Sequence, residues 1–269
     1  MSLASAPIPP SPNPDRFWRI WDLLLAGAIA LCLLVLGLIV LLLGLLFQKY
    51  GFDLLAWQQL ENPAAILQGE TFFIAVVWLS AFIFVGGVVL VALLRRKLGW
   101  IKLGLRRPTA WGVLFGLAGG VVTMLAMSAA TVLTQLILRP FGFYATLENP
   151  QLDSLLPPGV QITPGFALWM SLGVGLMVPF AEELFFRGMI YRYLRDKWGV
   201  WWAVPVSALI FGLFHVEPSI AVGASVAGVI LALSYEYTQS LWVSVLIHAF
   251  NNGIKIALLY LVVLLGGRL

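Results

Sequence analysis

Apolar runs of about twenty residues recur along this chain, each long enough to cross the roughly 30 Å hydrocarbon core of a bilayer as a helix. Seven can be placed, at approximately residues 22–47, 71–94, 110–138, 165–190, 200–216, 219–236 and 240–265. In lipid every backbone N–H and C=O has to be satisfied by the protein itself, which restricts spanning structures to helices and closed barrels. Barrel strands alternate apolar and polar residues, and no such alternation runs at useful length here. The expected fold is therefore an all-α polytopic membrane protein, a bundle of about seven transmembrane helices. Charge agrees with this: only 10% of the 269 residues are charged and 61% are hydrophobic, against about 25% charged in a soluble domain.

The formal net charge of +4 does not point to nucleic acid, because the basic residues cluster between spans, where they set topology. Arg95, Arg96, Lys97, Lys102, Arg106 and Arg107 fall between the second and third spans, and Arg192, Arg195 and Lys197 follow the fourth. The remaining loops hold mainly Lys49, Arg139 and a handful of acids, Asp53, Glu61, Glu70, Glu148, Asp153 and Glu217. By the positive-inside rule the N-terminus and both basic loops are cytoplasmic, as expected for a multi-pass protein of the cell membrane. The proline- and serine-rich residues 1–17 read as a disordered cytoplasmic tail, and 18–269 as one membrane domain. Tryptophans and tyrosines near the predicted span ends suit the headgroup level. Gly112, Gly116 and Gly120 recur every fourth residue on the third span, a face for close helix contact. The single cysteine, Cys32, forms no intrachain disulfide and is expected to be a buried, inert thiol.

Against this apolar background the polar residues within spans stand out. Glu182, Glu183 and Arg187 lie in the fourth span, His215 in the fifth, and His248, Asn251, Asn252 and Lys255 in the seventh. An ionised group at a helix centre costs about 2.5–3.5 kcal/mol on insertion scales, so such groups face the bundle interior and mark functional sites by default. Glu183 and Arg187 are four residues apart and can pair on one face. Glu182 is rotated about 100° from Glu183, so it is free to face a polar cavity. His248 and Asn252 are also four apart, and Phe211 precedes His215 by four, placing an apolar ring beside that imidazole. Together these side chains could activate a water and bind a developing oxyanion. Lys255, one turn beyond Asn251, reads as a structural or snorkelling residue.

The three patterns E-E-x-x-x-R (Glu182 to Arg187), F-x-x-x-H (Phe211 to His215) and H-x-x-x-N (His248 to Asn252) occur in order on late spans. Taken together they resemble the CPBP family of intramembrane proteases, which includes the CAAX prenyl endopeptidases and bacteriocin-processing proteins. The run TQSLWVSVLIHAFNN also resembles the surroundings of the family's last motif. The resemblance covers a catalytic core at about residues 165–255. It implies an endopeptidase acting on membrane-associated peptide or protein substrates, prenylated CAAX-type tails among them. Glu182 would be the general base, His215 would position the attacking water, and His248 and Asn252 would hold the oxyanion. Glu183, Arg187, Phe211 and Asn251 would support them.

Two chemistries fit such a family. A metal-free glutamate mechanism, needing no cofactor, is the preferred reading. The alternative is a catalytic zinc on Glu182, His215 and His248, since one carboxylate and two imidazoles form a known zinc set, although H-E-x-x-H is absent. An alternative function is a non-catalytic membrane scaffold or bacteriocin-immunity protein of the same fold. A proton-relaying transporter would call for two related halves with interrupted spans, and no internal repeat is present. One geometric tension remains. Counted along its span, His215 sits towards the outer side while Glu182 and His248 lie nearer the cytoplasm, which calls for a tilted or shifted fifth span.

Overall fold

The computed structural model describes residues 17–51, 53, 67, 69–144, 155–156 and 159–266. Nearly all of the expected N-terminal tail (residues 1–16) and the loop acids Glu61, Glu148 and Asp153 lie outside the described residues. Each predicted apolar run becomes helix. In chain order these are α1 (Ile20–Tyr50), α2 (Glu70–Val89), α3 (Ala110–Leu138), α4 (Pro164–Leu172), α5 (Val178–Phe185), α6 (Arg192–Trp198), α7 (Val200–Leu213), α8 (Pro218–Thr238) and α9 (Leu241–Leu264). Among the described residues there is no strand. Six helical segments are long and apolar enough to cross a membrane, with α4–α6 forming one continuous segment, Pro164–Trp198; α7 is a shorter apolar helix. The chain is a multi-pass helical membrane protein.

Helix α1 is loosely attached. Only Asp22, Ala26 and Leu46 are buried along it, because its apolar side chains suit lipid and need no protein partner. Cys32 is accordingly exposed on its outer face, rather than buried as expected. Asp22, by contrast, is fully buried. It accepts from the backbone N–H of Arg19 at 2.9 Å and pairs with Arg95 and Arg96 at 3.5 and 3.6 Å. A carboxylate of this kind is tolerated because it is shared between two guanidinium groups.

The small-residue face of α3 packs on α9. A Cβ at Gly116 would come within 2.8 Å of Leu246 Cδ2, and one at Gly120 within 2.6 Å of Phe250 Cδ1. Glycine at these sites is what lets the two helices close, and α9 in turn carries His248.

The long Pro164–Trp198 segment is interrupted twice by π-helical turns, Gly173–Met177 and Phe186–Tyr191, which bracket α5. Pro179 has no N–H to donate to the preceding turn, so the backbone widens there. Gly175 sits in the first wide turn, and a Cβ there would stand 3.1 Å from Gly253 Cα of α9. This close crossing brings the acidic turn of α5 alongside His248. The second wide turn is closed from outside: buried Trp18, just before α1, donates its indole N–H to the Gly188 carbonyl at 2.8 Å.

Candidate active site

Glu183 is completely buried on α5. Its Oε1 accepts from Arg187 Nη1 at 2.7 Å and lies 2.9 Å from His248 Nδ1. An oxygen that already accepts from a guanidinium is unprotonated, so the imidazole is the donor and Nδ1 carries the hydrogen. Arg187 also donates to the Gly228 carbonyl of α8 at 3.2 Å, and its guanidinium lies over the Phe211 ring, 4.4 Å from the centroid. The expected Glu183–Arg187 pair is thus present, and it extends to His248, which the four-residue spacings alone do not reveal.

With Nδ1 committed to Glu183, His248 turns Nε2 towards Glu182, whose Oε2 is 3.7 Å away. That gap is too long for a direct hydrogen bond and suits a bridging water. Glu182 retains some exposure, its side chain being 16% accessible, as the 100° rotation from Glu183 requires.

On the other side of His248 lies a small cavity of about 30 Å³, with walls that include Met127, Phe211, His215, His248, Asn251 and Asn252. A site this size with several polar partners has room for a water. Glu182 is not one of its walls; it faces His248 instead. Phe211 is the hub: its ring lies edge-on to His215 and His248, with centroids 5.1 and 5.7 Å away, and to Phe186 at 4.9 Å. Asn252 accepts from Asn251 Nδ2 at 2.8 Å and directs its own amide at the Val174 carbonyl in the first wide turn, 3.5 Å away. The eight side chains given catalytic or supporting roles from the sequence therefore fall in one contiguous region.

The tension over His215 resolves through length. Helix α7 has 14 residues, which at 1.5 Å each is about 21 Å and falls short of a bilayer crossing. His215 lies beyond its end, in the turn before α8, and hydrogen-bonds through Nδ1 to the Phe211 carbonyl at 3.0 Å. Because a carbonyl only accepts, Nε2 is left open. The next residue, Val216, has a φ of 43°, a left-handed conformation that is strained for a β-branched side chain. Glu217 then fixes the turn. It accepts from the Ile220 N–H at 2.7 Å and the Ser219 hydroxyl at 2.8 Å, and from the Tyr144 hydroxyl, while its own N–H donates to the His215 carbonyl. Partial burial works to raise the Glu217 carboxyl, but these donors outweigh it and hold it below the usual glutamate range. Burial and the negative Glu217 push the Tyr144 phenol up.

Among the described residues no group of three His, Cys, Asp or Glu side chains is placed to hold a metal ion. Glu182, His215 and His248 are accordingly not gathered as a ligand set in this arrangement.

Residues 164–254, which contain every one of these side chains, match the family model described as type II CAAX prenyl endopeptidase Rce1-like. Over this segment the chain is similar to the CPBP family of membrane peptidases. A relative from Bacillus subtilis (strain 168), described as "Putative membrane peptidase YdiL", is 25% identical over 175 residues, 64% of this chain and 68% of the relative. No solved structure matches. The family is one of membrane peptidases, and the matched segment begins at α4 and ends within α9. Helices α1–α3 lie outside it, so Trp18, Asp22 and the glycine face of α3 are features that the family's motifs do not signal.

Proposed function

We propose that this protein is an intramembrane endopeptidase that hydrolyses peptide bonds of membrane-associated substrates, prenylated CAAX-type tails being one class. The observation that carries the reading is the suspension of His248 between two carboxylates of different character. Glu183 is buried, neutralised by Arg187 and fixed to Nδ1; Glu182 is half-open and faces Nε2 across a water-sized gap.

In this reading a water between Glu182 and His248 gives a proton to Glu182 as its oxygen attacks the substrate carbonyl carbon. The carbonyl oxygen takes the negative charge and is stabilised by N–H donors from Asn252 and from His248 Nε2, in a ring that enters the cycle carrying a proton on both nitrogens and keeps both throughout. Collapse of the tetrahedral intermediate breaks the C–N bond, and the proton held by Glu182 passes to the leaving amine. His215 holds a water through its open Nε2 at the far wall. Phe211 keeps both imidazoles in register. Each proton removed is returned, so the cycle needs no cofactor.

The orientation follows from where the cations gather. Arg192 donates to the Lys102 carbonyl, Arg96 to the Phe17 carbonyl at 3.0 Å, and Ser240 to the Arg106 carbonyl at 2.6 Å. The two loops rich in Lys and Arg thus meet at one end of the bundle, beside the segment ahead of α1 and the turn between α8 and α9, which supports an N-terminus on the cytoplasmic side of the cell membrane.

The test is proteolysis of membrane-tethered and prenylated peptides by the purified chain in liposomes, with Glu182→Gln and His248→Ala beside it and with a zinc chelator added in parallel. Cleavage should survive the chelator and fall by about 10²–10⁴-fold in each variant, the range for a lost acid–base group. Cleavage undiminished in Glu182→Gln would remove that residue as the base. Loss on chelation with recovery on zinc would reassign Glu182, His215 and His248 as ligands. A folded chain that cleaves none of these substrates would favour the scaffold reading.

A further inference from the structure

One cation in the membrane interior has no part in the arrangement above. Lys255 lies on α9, fourteen residues after its start at Leu241 and nine before its end at Leu264. At 1.5 Å per residue it sits about 21 Å from one end of the helix and about 13 Å from the other, farther than a lysine side chain extends. It does not snorkel. Its Nζ points instead at the Met127 sulfur of α3, 4.0 Å away, and a thioether is only a weak acceptor. Among the described residues no carboxylate lies within ion-pair distance of it. One turn earlier, Asn251 has a buried Oδ1 with no hydrogen-bond partner and an amide nitrogen 3.7 Å from the same sulfur. Two polar groups thus stand side by side with their capacity unspent. Met127 and Asn251 are both walls of the cavity that His248 and His215 line, so Lys255 stands directly behind two of its walls.

We propose that Lys255 is the counter-ion for a carboxylate carried by the bound substrate, making it a specificity-determining residue. This rests on the peptidase reading of the cavity. An intramembrane cation with no carboxylate beside it among the described residues marks a ligand or ion path by default, and a substrate carboxylate entering hydrocarbon needs such a partner. Spacing sets the position of that carboxylate. Lys255 is seven residues beyond His248, about 10 Å along the helix, which an extended peptide covers in about three residues. The carboxylate is either a free C-terminus or an acidic side chain at that remove from the bond cut. The matched family segment ends at residue 254, so the assignment draws on this chain alone.

The experiment measures binding of a dansyl-labelled apolar hexapeptide to the full chain in phosphatidylcholine vesicles, with Glu182→Gln present to block turnover. Three forms are compared: a free C-terminal carboxylate, the C-terminal amide, and the amide with one Asp three residues from the end. The carboxylate form should bind ~10- to 100-fold tighter than the amide, the range for one hydrogen bond to a charged group. Recovery of affinity by the Asp form would identify a side chain as an acceptable source; failure to recover would restrict the site to a C-terminus. Added Lys255→Met or Lys255→Gln should erase the preference, and Lys255→Arg should keep most of it. Equal binding of all three forms, or a preference that persists without Lys255, overturns the proposal. The peptidase reading is scored separately with Glu182 intact. A chain that prefers the carboxylate through Lys255 yet never cleaves the peptide refutes that reading and leaves the anion site standing.

Discussion

Arg187→Met should separate two roles of one buried pair. Arg187 is 1% exposed, and Glu183 is completely buried with only one of its oxygens hydrogen-bonded. Removing the guanidinium leaves a carboxylate in the bundle interior with His248 as its remaining partner, and breaking a buried ion pair from one side costs about 3–5 kcal/mol. The stacking on Phe211 goes as well, worth up to about 2 kcal/mol in a desolvated setting. A loss near 4 kcal/mol is therefore expected for the single variant. The double variant Glu183→Leu/Arg187→Met removes both charges, and neutral replacement of a buried pair is often without net cost; it should recover most of that stability. It should not recover activity, because His248 Nδ1 then has no carboxylate to hold its proton, and replacing the carboxylate behind a catalytic imidazole has cost about 10⁴ in a well-studied enzyme. Unfolding in mixed micelles by increasing dodecyl sulfate gives the stabilities, and cleavage of a tethered peptide gives the rates. A single variant as stable as wild type, or a double variant that is both stable and fully active, would refute the reasoning.

The close approach of α3 and α9 predicts that Gly120→Leu, forced against Phe250, loses about 1–3 kcal/mol in the same unfolding assay, whereas Gly44→Ala, with nothing within 4 Å of its Cβ, should be neutral. The Glu217 turn predicts a pH dependence. Its carboxyl is held below the usual range by the donors around it, so its contribution is fully present above the ordinary glutamate pKa and is lost as pH falls through the lower folded value. Tyr144→Phe removes one of those donors and should lower stability at pH 7 while narrowing the drop between pH 6 and pH 3; a drop as wide as wild type's would show that the phenol does not contribute.

The positions of the apolar helices, the polar cluster and its three motifs were legible in the sequence because each depends on local signals, whereas the fifth expected span is the short α7. Hydrophobic length gives a span, and a charged side chain in that span gives a site. The pairing of Glu183 with Arg187 follows from the helical period alone. The second bond of Glu183, to His248, spans 65 positions and depends on how tightly α9 crosses the widened turn at Gly175. Pro179 and the glycines before it carried that signal, but a proline in an apolar run indicates a break without saying whether the helix kinks, ends or widens. His215 was assigned to a span because α7 runs apolar to its end; only the structure shows the helix stopping at Leu213. Cys32 was misjudged for a similar reason, since an apolar neighbourhood in sequence does not distinguish a protein interior from lipid. Asp22 stood at the predicted edge of the first span, where a charge attracts no notice, and its burial is created by arginines more than seventy residues away.

The contact of Trp18 with Gly188 has a consequence for water traffic. A π turn leaves backbone carbonyls without their regular partners, and a vacant carbonyl beside Arg187 would draw water in from that end of the bundle. Such a leak would wet the buried Glu183 from behind and weaken every charge interaction that fixes His248. By filling that carbonyl with an indole N–H and the space around it with a completely buried ring, the segment ahead of α1 acts as a stopper in the floor of the site. Glu182, on the other hand, keeps some exposure, its side chain being 16% accessible. A side chain outside the matched family segment thus closes one approach to Glu183.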